Sequence, residues 1–296
     1  MDSALATLGL PVALGIIMFG LGLELTPADF RRVATNPKAA GIALVCQLLL
    51  LPAVCFGLVI AFDLPPLLGI GMMLLAASPG GTTAALFSHL FRGDVALNIS
   101  LTAVNSLVAV FTLPLVTGIA IAHYDRSDDV TMPLGEVVQV FALILLPVAV
   151  GMLVRARRTA FADRMDRPVR IASAVILVVM ILGVVLAERD NVAEYLQDIG
   201  VVAALFCAAS LVLGYAVPKL FGVPGPQAIA SSMEIGVHNS TLAIYVAVEV
   251  LDDVQISVPA AVYSIIMFVF ASVWGSWVSR REQPRIPAAP QESLVR

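Results

Sequence analysis

The stretch Ser231–Tyr245, SSMEIGVHNSTLAIY, places a glutamate, a histidine, an asparagine and several hydroxyl residues in the middle of an apolar run from about Gln227 to Val248. A second stretch, ASPGGTTAALFSH at 77–89, has the same character. Each puts a polar, helix-breaking centre inside a segment otherwise suited to a membrane. Pro79 removes a backbone donor and Gly80-Gly81 adds two flexible residues, so the helix is expected to unwind there. Unwound backbone at bilayer depth persists only where protein or a water-filled cavity satisfies it. One such break alone reads as a packing kink; two at matched positions read as a site.

Composition sets the frame around these two stretches. Of 296 residues, 59% are hydrophobic and only 13% charged, which is too apolar for an ordinary soluble domain and marks a polytopic membrane protein. The net charge of −4 carries no basic footprint for nucleic acid. Cys46, Cys55 and Cys207 all fall in apolar runs and read as small buried hydrophobes. The N-terminal run lacks a basic n-region and a small-residue cleavage signal, so it reads as a retained span.

With about 20 apolar residues needed to cross the hydrocarbon core as a helix, the chain divides into spans at 5–25, 40–62, 66–90, 94–123, 136–154, 169–187, 198–218, 226–250 and 257–279. This predicts an all-α fold of nine transmembrane helices. Every Lys and Arg except Arg126 and Arg189 lies in the connectors after spans 1, 3, 5, 7 and 9 or at their edges. That asymmetry predicts an outside N-terminus and a cytoplasmic C-terminus. The tail 282–296, rich in proline and poor in apolar residues, is expected to be disordered.

The broken spans are 3 and 8. Five spans apart, they would run in opposite directions, so spans 1–4 and 6–9 form an inverted repeat with span 5 unpaired. Interrupted hydrophobic segments at corresponding positions of two halves point to the binding site of a secondary transporter. The two breaks are expected to cross near the midplane.

The runs IIMFGLGLEL (16–25), SPGGTTAALFSHLFRGDVALNISLT (78–102) and EIGVHNSTLA (234–243) resemble the bile acid:sodium symporter family. The resemblance extends from Gly15 to about Val278 with all motifs in order. It implies a nine-helix, bacterial-type member. Its core bundle would comprise 40–123 and 198–281 (spans 2–4 and 7–9), and its panel 1–39 and 124–197 (spans 1, 5 and 6). It also implies a bacterial inner-membrane location and inward transport of an organic anion coupled to sodium, with no further cofactor. The partners expected are the lipid bilayer and that solute; oligomeric state is not legible.

Glu234 is the one acid well inside a span, and an intramembrane carboxylate is a functional candidate by default. The resemblance makes it a ligand shared by two sodium sites. One would draw on Glu234, the backbone near Ile235 and Val237, Gln47 and a glutamine four residues after the glutamate. The other would use side chains just after PGGT and on span 4, here Asn98 and Thr102. The positive ends of half-helices at Thr82-Thr83 and Asn239-Ser240 would receive the carboxylate or sulfonate of the solute.

The chain departs from the family pattern where sodium would be held. Ala84-Ala85 replaces a frequent Ser-Asn pair, Asn98 stands where serine is usual, and His238 replaces the glutamine. Imidazole nitrogen is a poor sodium ligand and can carry a proton near neutral pH. Proton coupling through a His238/Glu234 pair, four residues apart on a helix, therefore stands beside sodium coupling. An intramembrane acid/base enzyme is disfavoured, because no nucleophile motif, second carboxylate or HExxH signature accompanies the pair. A sensor or channel lacks any signalling domain or pore-ring motif. His238 could equally be a core histidine, Gln47 an interhelical tether, and some of Asn98, Thr102, Asn105 and Ser106 mere partners for neighbouring backbone.

Overall fold

A computed structural model describes residues 3–125, 134–189 and 192–282. The tail beyond Glu282 and the connector around Arg126 lie outside the described residues, as do the calls made on them. The described residues are helical throughout, apart from short connectors and one isolated β-bridge between Gly80 and His238.

In chain order the helices are α1 (Ser3–Glu24), α2 (Pro27–Thr35), α3 (Pro37–Val45), α4 (Leu51–Ala61), α5 (Pro66–Ala77), α6 (Thr82–Leu90) and α7 (Val95–His123). There follow α8 (Leu134–Arg157), α9 (Thr159–Ala187), α10 (Val192–Leu220), α11 (Gly225–Gly236), α12 (Ser240–Glu249) and α13 (Val258–Arg281). A π-helical turn at Cys46–Leu50 joins α3 to α4, and a 3₁₀ turn at Gln255–Ser257 leads into α13.

Five of these units are long and apolar enough to cross a membrane, or six if α1 and α2, bent by 65° at residues 25–26, count as one broken span. The two halves of each interrupted segment are too short to cross alone. α2 stands where the sequence reading had only a connector. It is short, its first turn is fixed by Pro27 and by Asp29, which accepts from the Thr26 amide at 2.7 Å, and none of its residues is buried. α9 begins ten residues before the apolar run, because Thr159–Pro168 carries Arg164 and Arg167 and continues the helix without being apolar. Hydropathy finds the greasy part of a helix and not its polar extension.

Each break has a local cause. Pro79 disfavours helical geometry for the residue before it, and Ser78 is extended at φ −70° and ψ 143°. In the other segment no proline intervenes. α11 ends at Gly236, and Asn239 caps α12 by accepting from the Leu242 amide at 3.1 Å. The π turn has a proline cause as well: Pro52 offers no amide to the carbonyl one turn back, and the Leu51 amide reaches Cys46 instead.

Two regions of packing follow. α1 lies against α8 and α9, with α1 and α8 so close at Gly22 and Gly151 that a Cβ on either would strike the other helix's backbone. α10, α11 and α13 pack together, and α11 also meets α6 and α7, which places Ala228–Gly236 in the interior on every side. Cys46, Cys55 and Cys207 are buried.

Candidate functional site

The two breaks meet. The Gly81 amide donates to the Val237 carbonyl and the Asn239 amide to the Pro79 carbonyl, both at 2.8 Å. Each interruption thus uses the other to satisfy backbone groups that its own helix releases, the condition for unwound chain among apolar helices. At the junction the C-terminal ends of α5 and α11 bring partial negative charge and the N-terminal ends of α6 and α12 bring partial positive charge.

Glu234 sits in the last turn of α11 and is completely buried. Its Oε2 accepts from the Thr102 hydroxyl at 2.5 Å and its Oε1 from the Asn105 amide at 3.1 Å. Asn98, one turn before Thr102, donates to the Ala230 carbonyl at 3.0 Å. Asn98, Thr102 and Asn105 recur at the spacing of one helical face, so α7 presents a polar stripe to α11. Gly80 completes the wall, since a Cβ there would collide with the carboxylate. Both side-chain partners of Glu234 are neutral, and a carboxylate taken from water costs several kcal/mol unless a cation or proton balances it.

Gln47 lies on the π turn. Its amide donates to the Ser78 carbonyl at 3.1 Å. That same carbonyl faces His238 Nδ1 at 3.2 Å. A carbonyl can only accept, so Nδ1 carries the hydrogen and Nε2 is left without a partner among the described residues. The ring stacks on Phe206 at 5.6 Å between centroids and meets Tyr263 edge-on at 5.4 Å. The Tyr263 hydroxyl donates to the Gly236 carbonyl at 2.9 Å.

The expected Glu234–His238 pair does not form. Glu234 turns to α7 while His238 turns to Ser78, and the two share no hydrogen bond. Four residues apart is one face only if the helix continues. α11 stops at Gly236, and Val237 at φ −112° and ψ 82° carries His238 away from the helical path.

The other site candidates fall as follows. Ile235 is buried in the last turn of α11, and the Val237 carbonyl is the one taken by Gly81. Ala84 is fully buried in the apolar core. Thr82 is the first residue of α6, and its side chain lies outside the described residues. Thr83, Asn239 and Ser240, with Gly81, line one open cavity of about 330 Å³, to which Ile17 of α1, α9 and α13 also contribute walls. The starts of α6 and α12 thus share a cavity.

Asn105 was not singled out as a site residue. The signal was present in its spacing from Asn98 and Thr102, but which neighbour that face meets is not legible from one helix. The side-chain oxygens of Gln47, Asn98 and Asn105 are buried without partners among the described residues, as neutral oxygen ligands for a hard cation would be.

Residues 11–195 match the model of the Sodium Bile acid symporter family. An uncharacterised sodium-dependent transporter, YocS of Bacillus subtilis, is 25% identical over 96% of this chain and 87% of its own. A probable chloroplastic sodium/metabolite cotransporter, BASS1 of Arabidopsis thaliana, is 27% identical over 93% and 67%. The human ileal sodium/bile acid cotransporter is 24% identical over 90% and 77%. With a family model that spans more than half of its length, and relatives named as transporters and not as enzymes, the chain belongs to the Sodium Bile acid symporter family.

Proposed function

We propose that this membrane transporter imports an organic anion, a bile-acid-like molecule or a smaller carboxylate or sulfonate, by sodium-coupled alternating access. The observation that carries the reading is the crossover: two half-helix N-termini open into one cavity lined by Gly81, and the adjoining Gly80 packs directly on the buried Glu234 carboxylate. The anion is held at Thr82, Thr83, Asn239 and Ser240, by side-chain donors and by the partial positive charge at the starts of α6 and α12. Sodium is held by Glu234 with Thr102, Asn98 and Asn105 on one side, and by Gln47 and the carbonyls near Ile235 and Val237 on the other. Binding of the ion neutralises Glu234, which lowers the cost of moving the site through an apolar interior.

In this reading the nine apolar segments all cross the membrane as an inverted repeat, in the bacterial inner membrane, with the N-terminus outside. α1, α8 and α9 act as the panel and the remaining spans as the moving core. Separation of His238 from Glu234 removes the pair on which proton coupling rested, so sodium is favoured. The test is uptake into proteoliposomes. An imposed inward sodium gradient should concentrate a labelled conjugated bile acid or one of a panel of small labelled carboxylates and sulfonates. Replacement of sodium by potassium should abolish accumulation. Uptake that ignores sodium and follows a proton gradient would overturn the assignment.

A further inference from the structure

α7 and α11 are joined by a hydrogen bond once in every helical turn. The Asp94 amide donates to the Pro226 carbonyl at 2.8 Å, the Asn98 side-chain amide to the Ala230 carbonyl at 3.0 Å, and the Thr102 hydroxyl to Glu234 at 2.5 Å. Positions 94, 98 and 102 thus meet 226, 230 and 234 at a constant offset of 132 residues, so the two helices lie parallel and in register. Asn105 extends the same face to the other oxygen of Glu234. A ladder of polar rungs therefore runs from the first turn of both helices to the buried carboxylate. It starts at the basic end of the bundle, beside Arg92 and Lys219, where Glu282, next to Arg281, packs on Gly225. In the orientation proposed above, that end is cytoplasmic.

A ladder that only tied two helices together would leave no acceptor empty. Here Oδ1 of Asn98 and of Asn105 has no partner among the described residues, and neither do the buried hydroxyls of Ser88 on α6 and Ser231 on α11. Serine behaves otherwise elsewhere in the bundle: Ser100, Ser210, Ser264 and Ser272 each donate to the carbonyl four residues back on their own helix. Ser88 and Ser231 lie on helices that meet at the middle rung. α6, α7 and α11 each pack against the other two. The Gly93 amide takes the Ser88 carbonyl at 2.7 Å, and a Cβ on Gly93 would meet the Ala230 nitrogen at 3.1 Å. A buried polar atom left unpaired costs about 1–3 kcal/mol, so a run of them fits a seam that holds water or an ion. The charge pattern selects the ion's sign. Asp94 and Glu234 stand at the two ends, and no Lys, Arg or His occurs in 95–105 or 225–236.

We propose that the α7–α11 ladder is the route by which the coupling cation passes between Glu234 and the cytoplasm, with Asp94 at its mouth and Asn98, Ser88 and Ser231 as an intermediate station. This rests on the sodium-coupled reading, and it gives the ion a path apart from the anion. Among the described residues, none of α7 or α11 lines the cavity at the starts of α6 and α12. Ion and solute thus leave the crossover by different sides of the core.

The experiment measures access and not transport. With Cys46, Cys55 and Cys207 replaced by alanine, Ser231→Cys and, in a separate chain, Ser88→Cys place a thiol at the middle rung. Ser210→Cys, on α10 and equally buried, is the control off the ladder. Silver ion, a monovalent cation that binds thiols, is applied in chloride-free nitrate medium to inside-out vesicles, whose outer surface is the cytoplasmic face. Thiols still free are then counted with a maleimide after unfolding. Ser231→Cys or Ser88→Cys should react at least about tenfold faster than Ser210→Cys. Asp94→Asn, which keeps the helix cap and removes the charge, should slow that reaction by about threefold or more. Ladder thiols as inert as the control, or a rate that ignores Asp94→Asn, would overturn the proposal. Uptake by the unmodified chain, measured in parallel, separates the two claims. Sodium-driven uptake with an inert ladder sinks the path alone. A reactive, Asp94-dependent ladder in a protein whose uptake ignores sodium sinks the sodium reading and leaves the ladder as a path for another cation.

Discussion

Thr102 of α7 donates to Oε2 of Glu234 at 2.5 Å, a bond that joins residues 132 positions apart and ties a fully buried acid to a helix outside its own segment. A hydrogen bond to a charged group contributes about 1.5–3 kcal/mol. Thr102→Val keeps the shape and removes that donor. It should weaken sodium activation by about tenfold in half-saturating concentration, with a smaller change in the maximal rate. Asn105→Ala should act in the same direction. Sodium titration of uptake by each variant checks this; unchanged titration in both would detach α7 from the ion.

Glu234→Ala and Glu234→Gln should abolish concentrative uptake while the protein remains monodisperse in detergent. Glu234 meets only neutral partners, so its loss breaks no ion pair that staples helices. Removing a buried, unpaired carboxylate should leave thermal stability equal or raised. Concentrative uptake at the native rate by Glu234→Ala would remove the carboxylate from the coupling site.

Gly80 and Gly57 make a controlled comparison. A methyl group at Gly80 would overlap the Glu234 carboxylate, whereas one at Gly57 of α4 meets nothing within 4 Å. Gly80→Ala should therefore abolish sodium-dependent uptake, and Gly57→Ala should leave it intact while raising helix stability by about 0.5–1 kcal/mol. Thermal unfolding with uptake on both variants distinguishes them.

His238→Gln should not transfer coupling between ions. Because the ring bonds the Ser78 carbonyl and stacks on Phe206, its replacement should perturb the crossover's packing and lower the rate without changing which gradient drives uptake. A proton gradient in sodium-free medium should drive no accumulation in the native chain across about pH 5–8, the range in which histidine ordinarily titrates. Proton-driven uptake lost on His238→Gln would restore the histidine to the coupling mechanism.

The end of α13 is fastened by Glu282. Its carboxylate pairs with Lys219 at 2.9 Å and accepts from the Tyr215 hydroxyl, and these bonds, from Lys219 first, hold its pKa below the usual carboxylate value. A depressed pKa means stability present above the unfolded value and lost as pH falls through the folded one. Glu282→Gln should thus lower the melting temperature by about 2–4 °C at neutral pH, with the difference from the native protein vanishing as the pH is taken below the carboxylate range. A difference that persists unchanged in acid would mean that packing, and not charge, fastens the helix.

The sequence by itself determined that the chain is helical, apolar and interrupted twice. Hydropathy is a local property, and Pro79 with Gly80-Gly81 interrupts a helix through its own backbone chemistry. It also singled out Glu234, because a lone acid in an apolar run stands out without any knowledge of its neighbours. Only the tertiary structure decided what each polar group faces. Glu234 and His238 look paired at a spacing of four, yet a single non-helical residue, Val237, separates them, and one turn of backbone rotation outweighs any pattern in the string. Asn105 joined the site for the converse reason: its face on α7 is periodic in sequence, but its partner arrives from α11, 129 residues away. The close approach of Gly80 to the Glu234 carboxylate was likewise invisible in the string, since close approach is a property of several helices at once and no single helix encodes it.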